Sequence, residues 1–159
     1  MTKAEELVET LARAGKTCGT AESCTGGGIG SAITSVPGSS AVFMGGVISY
    51  DNAVKRDVLG VHQETLDTVG AVSRETAAQM AIGAQRLINV DFAVSVTGIA
   101  GPGGGSEEKP VGLVWFGLAS PSGVATEKAV FTGDRGEVRA AAVEHALGLL
   151  LSAAMGKMP

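Results

Sequence analysis

The chain has 159 residues, of which 45% are hydrophobic and 18% charged, and its formal net charge is -4. That is long enough to bury one core without disulfide staples, too apolar for a disordered chain, and without the basic footprint of a nucleic-acid binder. The one outlier is glycine, 24 residues gathered in clusters, as in turns that approach a ligand or backbones that pack closely.

One domain is expected over residues 1–159, with no internal repeat and no linker. The opening Met1-Thr2-Lys3-Ala4-Glu5-Glu6 is too acidic for a signal peptide and no apolar run reaches membrane-spanning length, so a cytoplasmic protein without a membrane partner is expected. Cys18 and Cys24 have no nearby histidine, which gives neither a disulfide framework nor a zinc site. Both are read as reduced thiols.

Leu7, Leu11 and Ala12 at helical spacing predict an amphipathic first helix over 3–14, with Gly15 just past its end. A short strand over 17–21 then runs into Glu22-Ser23-Cys24-Thr25-Gly26-Gly27-Gly28, after which Ile33 and Val36 resume a helical pattern. A strand, glycine turn and helix in this order expose free N–H groups at the positive end of a helix dipole, so a phosphate or carboxylate is one expected occupant. Close helix–strand packing explains the glycines equally well. The dinucleotide fingerprint is incomplete, since Ser31 stands where it needs Gly or Ala.

Pro37 ends that helix, and Gly38-Ser39-Ser40 leads into an apolar run that closes on Ser49-Tyr50-Asp51, with Lys55 on the following helix. A serine, a tyrosine and a lysine thus flank one predicted strand. Folded back on a shared pocket, they would make a Ser–Lys pair in which the amine is base for the hydroxyl. Residues 63–68 read as a short polar helix or turn. Ser73 caps a longer helix running through Ile88.

Residues 91–97 form a nearly uncharged β-run, as in a strand covered on both faces. It releases the long glycine-rich loop Gly98-Ile99-Ala100-Gly101-Pro102 through Pro110, where open α/β sheets place ligands. Residues 111–119 and 124–131 predict a hairpin, and Asp134-Arg135-Gly136-Glu137 has capping-box spacing ahead of a final apolar helix. Together these predict an α/β fold, a three-layer α/β/α sandwich on a mixed, mostly parallel sheet of about five strands.

Four segments, Ala21-Glu22-Ser23-Cys24-Thr25-Gly26-Gly27, Gly38-Ser39-Ser40 with Tyr50 and Lys55, Thr97-Gly98-Ile99-Ala100-Gly101-Pro102 with Gly105 to Gly112, and Gly133-Asp134-Arg135, resemble the C-terminal domain of the competence/damage-inducible protein CinA. They recur in the family's order and span nearly the whole chain. The resemblance implies a nicotinamide-nucleotide amidase that converts nicotinamide mononucleotide to nicotinic acid mononucleotide and ammonia, without a metal or other cofactor. It also implies a free-standing form and, from family habit, a homodimer.

Carried over by position, Ser40 is the expected nucleophile and Lys55 its base, with Tyr50 and Thr97 in the same catalytic constellation. Ser23, Thr25, Gly26, Gly27, Gly98, Gly101 and Arg135 are expected to bind substrate, and no residue to hold a metal. Such a base must be neutral, its pKa brought down by about 3 units through burial or a neighbouring cation. Ser39 competes with Ser40, and Cys24, at a helix start that favours thiolate, ranks third because neither His62 nor His145 is placed as its base. Ser106-x-x-Lys109 is read as loop, His145 as packed, and Trp115 as core. The main alternative is a non-catalytic nucleotide-binding or partner module of the same fold. A metal-dependent phosphohydrolase lacks an Asp/His cluster.

Overall fold

A computed structural model describes residues 1–159. The first helix, α1 (Lys3–Ala14), starts at a capping box between Thr2 and Glu5 and stops at Gly15, whose φ of 65° suits glycine. Strand β1 (Cys18–Glu22) leads through the glycine turn to α2 (Gly28–Thr34). A single 3-10 turn, Ser39–Ala41, precedes β2 (Phe43–Ile48). Three helices follow: α3 (Asn52–Asp57), α4 (Gln63–Thr68) and α5 (Arg74–Ile88), the last capped by the Ser73 hydroxyl. Strands β3 (Phe92–Gly98), β4 (Leu113–Ser120) and β5 (Gly123–Val130) precede α6 (Arg135–Ala154), which opens with the Asp134–Glu137 capping box.

The strands form one sheet in the order β2-β1-β3-β4-β5. The β1–β2 and β1–β3 ladders are parallel and the other two antiparallel, so β4 alone runs against the rest. This is the expected mixed sheet with helices on both faces, and β3 lies at its centre.

The two faces are filled differently. Helices α1, α2 and α6 cover one face with Leu7, Leu11, Ile29, Ile33, Leu147 and Leu150 against Val94, Val96 and Phe116. The other face carries small residues, Ala21, Ala93 and Ala119, under Met80, Ala81 and Ala84 of α5. At Gly117 the approach of α5 is so close that a Cβ would lie 2.2 Å from the Ala77 carbonyl oxygen. Side chains alternate between the faces along each strand, so Val94 and Val96 turn to α6 while the Ser95 hydroxyl donates to the Ala77 carbonyl of α5 at 2.6 Å.

His145 is packed as expected, its ring 4.5 Å from that of Phe116 and its Nε2 3.4 Å from Glu127. Trp115 departs from the core expectation: it is half-buried, with Lys128 Nζ 5.5 Å from its ring centroid. Its β4 position alternates to a sheet face that α5 only partly covers. No helix is long and apolar enough to cross a membrane.

Candidate active site

Glu22, Ile48 and Val96 are level across β1, β2 and β3. The three strands therefore release Ser23, Ser49-Tyr50 and Thr97-Gly98 at one edge of the sheet. Backbone bonds tie these ends together, Ser23 N donating to Val96 O at 3.0 Å and Ser49 N to Glu22 O at 2.7 Å. The connection after β1 crosses on the α2 face and the one after β2 on the α5 face, which makes β1 a topological switch point, where open α/β sheets form their crevices. A cavity of about 210 Å³ opens there, lined by Ser23, Cys24, Tyr50, Asn52, Lys55, Ala71, Val72, Thr97, Gly98, Ala100 and Arg135.

At its floor lies Lys55, only 1% exposed although it is a lysine. Its Nζ is 2.8 Å from Ser49 O, 3.0 Å from Tyr50 O and 3.1 Å from Ser23 Oγ. Burial holds its pKa below the ordinary lysine value, against the opposing pull of Asp51 and then Cys24. A neutral amine has two N–H donors and one lone pair. Two carbonyl oxygens take the two donors, and the third neighbour is a hydroxyl that can donate to the lone pair. The same three oxygens also suit an ammonium that donates to each of them, so it is burial, which disfavours the charged form, that favours the free base accepting from Ser23.

Ser40 is not brought to this amine, which corrects the expected Ser40–Lys55 pair. It is exposed on the 3-10 turn before β2, whereas Lys55 follows β2. An extended strand of that length separates its two ends by ~20 Å, so the flanks of β2 lie at opposite edges of the sheet and do not fold back. Ser39 shares that far edge.

The phosphate expectation at the first glycine turn is corrected as well. Consecutive residues turn to opposite faces, so next to Ser23, Glu22 turns to α2 and fills the anion site itself. Its buried carboxylate accepts from the Thr25 hydroxyl at 2.7 Å, Ile29 N at 2.9 Å and Gly30 N at 3.0 Å. Thr25 is committed to that cap, while Gly26 and Gly27 have left-handed φ of 57° and 99° and face Arg139 and Ile48. None of these three lines the cavity. Glu22→Gln is expected to lower stability by about 2 kcal/mol, because an amide returns one donor to a group of donors. Urea denaturation checks this, and an unchanged midpoint and slope would refute it.

Of the remaining expected residues, Ser23, Tyr50, Thr97, Gly98 and Arg135 line the cavity, whereas Gly101 does not and only accepts a bond from Arg135. Tyr50 supplies its backbone carbonyl to Lys55, while the residue is 62% exposed and its hydroxyl accepts from Arg135 Nη2 at 3.2 Å. Arg135 Nη1 donates to Gly101 O at 2.8 Å, which ties α6 to the second glycine loop. Gly98 lines the wall, and the Thr97 hydroxyl donates to Ala71 O at 2.8 Å, so it positions the α4–α5 connection. Ser106 and Lys109 brace the glycine loop: Lys109 N donates to Ser106 Oγ at 3.0 Å and Lys109 Nζ to Val69 O at 2.6 Å.

Cys24 lines the cavity too. Burial pushes its thiol up to about 11, and nearby Arg139 and Lys55 pull it down by less. Desolvation wins over the neighbouring cations, leaving a thiol at neutral pH and a poor nucleophile. Asn52 and Arg139 were not anticipated from sequence. The spacing of Arg139 four residues after Arg135, on one face of α6, was the available signal. No three His, Cys, Asp or Glu side chains cluster as metal ligands.

A family profile described as the CinA C-terminal domain matches residues 1–154. The chain is 48% identical over 151 residues to the nicotinamide-nucleotide amidohydrolase PncC of Escherichia coli K12, covering 94% of this chain and 92% of that one. It is 61% identical over 114 residues to a CinA-like protein of Leptospira borgpetersenii, covering 72% of this chain but spanning only 27% of that relative's length. Among solved structures, the competence/damage-inducible protein CihA of Agrobacterium tumefaciens superposes with a TM-score of 0.91 at 48% identity over 96% of both chains. A CinA superfamily protein of Klebsiella pneumoniae gives 0.93 at 34% identity, covering 97% of this chain and 96% of that one.

Proposed function

Because the chain belongs to the CinA C-terminal domain family, we propose that it is a nicotinamide-nucleotide amidohydrolase using Ser23 as nucleophile and Lys55 as base. The observation that carries this reading is the 3.1 Å contact between Ser23 Oγ and Lys55 Nζ at the floor of the cavity. The name of the E. coli relative supplies the substrate class.

In the first half-reaction, Lys55 takes the Ser23 proton as Oγ attacks the carboxamide carbon of nicotinamide mononucleotide. The tetrahedral intermediate collapses as the Lys55 ammonium protonates the departing nitrogen. The C–N bond breaks, ammonia leaves, and a Ser23 ester remains. Water then enters with Lys55 again as base, and the C–O ester bond breaks to give nicotinic acid mononucleotide and free Ser23. No redox partner and no metal take part in this balance. Tyr50, Thr97, Asn52, Gly98 and Arg135 surround the substrate. Arg135, the one guanidinium on the wall, is assigned the phosphate.

The test is ammonia release from nicotinamide mononucleotide by the purified chain, with nicotinic acid mononucleotide identified chromatographically in equal amount. Binding of the nucleotide with no ammonia formed would establish the non-catalytic alternative instead. Cytoplasmic residence and a homodimer belong to the same reading. The exposed Met44 and Ile48 on edge strand β2 motivate the dimer, which light scattering reads directly; a monomer at assay concentration would remove it.

A further inference from the structure

Arg135 and Arg139 lie one helical turn apart on α6 and serve different groups. Arg135 lines the cavity, whereas Arg139 does not. Arg139 Nε donates to Cys24 O at 3.0 Å and Nη2 to Thr25 O at 3.3 Å, the carbonyls of the two residues after Ser23. Gly26 follows, and a Cβ there would sit 3.4 Å from Arg139 Nη2. The guanidinium is therefore fitted against the outer side of the turn that carries the hydroxyl.

The Gly26 N–H donates back to Ser23 O at 3.1 Å, so the turn is closed on itself at one side and held by the guanidinium at the other. Ser23 Oγ leaves the first residue of that turn and reaches Lys55 Nζ at 3.1 Å.

We infer that Arg139 is a positioning residue for the hydrolysis: by holding the Cys24 and Thr25 carbonyls it fixes the turn that presents the Ser23 hydroxyl to Lys55 and to the substrate carboxamide. The inference rests on Ser23 being the nucleophile. Arg139 touches no substrate atom, so it acts on kcat and not on binding.

The experiment compares Arg139→Ala, Arg139→Lys, Ser23→Ala and the double variant Ser23→Ala with Arg139→Ala, each assayed well below its own melting temperature with nicotinamide mononucleotide. Arg139→Ala is expected to lower kcat ~100-fold with KM within ~3-fold, the loss that a nucleophile misplaced by about 1 Å incurs. Arg139→Lys should recover part of this, since an ammonium can hold one carbonyl but lacks the fork that bridges two. In the Ser23→Ala background the Arg139 change should cost less than ~2-fold of the residual rate, because the two act as a unit. Should the alanine variant fail to fold, the lysine variant carries the same kcat-against-KM split at smaller size. Wild-type kcat in both variants, a raised KM at unchanged kcat, or a full multiplicative loss in the double variant would each overturn the role of Arg139 alone. Wild-type turnover by Ser23→Ala would instead remove the nucleophile assignment, and with it this inference.

Discussion

Replacing Ser23 with alanine is expected to cut ammonia release from nicotinamide mononucleotide by at least about 10³-fold, while Ser40→Ala stays within ~2-fold of wild type. The loss follows from covalent catalysis, where removing the nucleophile leaves only binding and oxyanion stabilisation over the uncatalysed rate. The Ser40 variant is the informative partner. Its hydroxyl is exposed, makes no hydrogen bond, and sits at the far end of β2 from Lys55, so nothing in the site changes when it is removed. Ser23, by contrast, lies 3.1 Å from the lysine amine. The measurement is steady-state kcat and KM for both variants, with calorimetric binding of the nucleotide to confirm that the Ser23 variant is folded and its cavity intact. An active Ser23 variant beside a dead Ser40 variant would reverse the assignment.

That pair of variants also marks where the sequence stops being informative. Caps and periodicity placed the helices well. Thr2 with Glu5, Ser73, and Asp134 with Glu137 all cap in the structure as their spacing suggests, because capping depends on residues within one turn. Lys55, Tyr50, Thr97 and Arg135 were named from the sequence, and each lines the cavity. The choice of serine was not legible in the same way. It depends on β1 and β2 being parallel with Glu22 level with Ile48, a long-range register that brings Ser23 across to the end of β2 while carrying Ser40 to its beginning. Ser40 comes from positional carry-over of the family resemblance, and nothing in the local spacing tests that choice against the strand register. Glu22 was obscured for a related reason: its role as the anion at the start of α2 needs the strand parity that sends Glu22 and Ser23 to opposite faces. The glycine turn looks from sequence like a phosphate cradle, and it holds an anion that the chain supplies itself.

The same geometry sets the behaviour of Lys55 with pH. As a general base, the amine must be unprotonated in the free enzyme, so kcat/KM is expected to rise with pH along a limb governed by its pKa, displaced by burial below the ordinary ~10.4. Lys55→Arg should lose about 10³-fold or more at every pH, because a guanidinium stays charged throughout. Lys55→Met keeps the buried stem and should be as inactive. Stability changes in the same window. Between the lowered folded value and ~10.4 the unfolded chain binds more protons than the native one, so stability rises with pH there, and the burden of the buried cation is fully present below the folded value. Cys18 and Cys24, pushed up by burial to about 12 and about 11, act oppositely and weaken the fold as pH climbs past the ordinary thiol range. The two thiols are common to wild type and Lys55→Met, so the difference between their urea stabilities across pH isolates the lysine and should grow in favour of wild type as the medium becomes more alkaline. A pH-independent difference, or an arginine variant that recovers activity in alkali, would mean that the amine is charged in the working enzyme and that Ser23 gives its proton elsewhere.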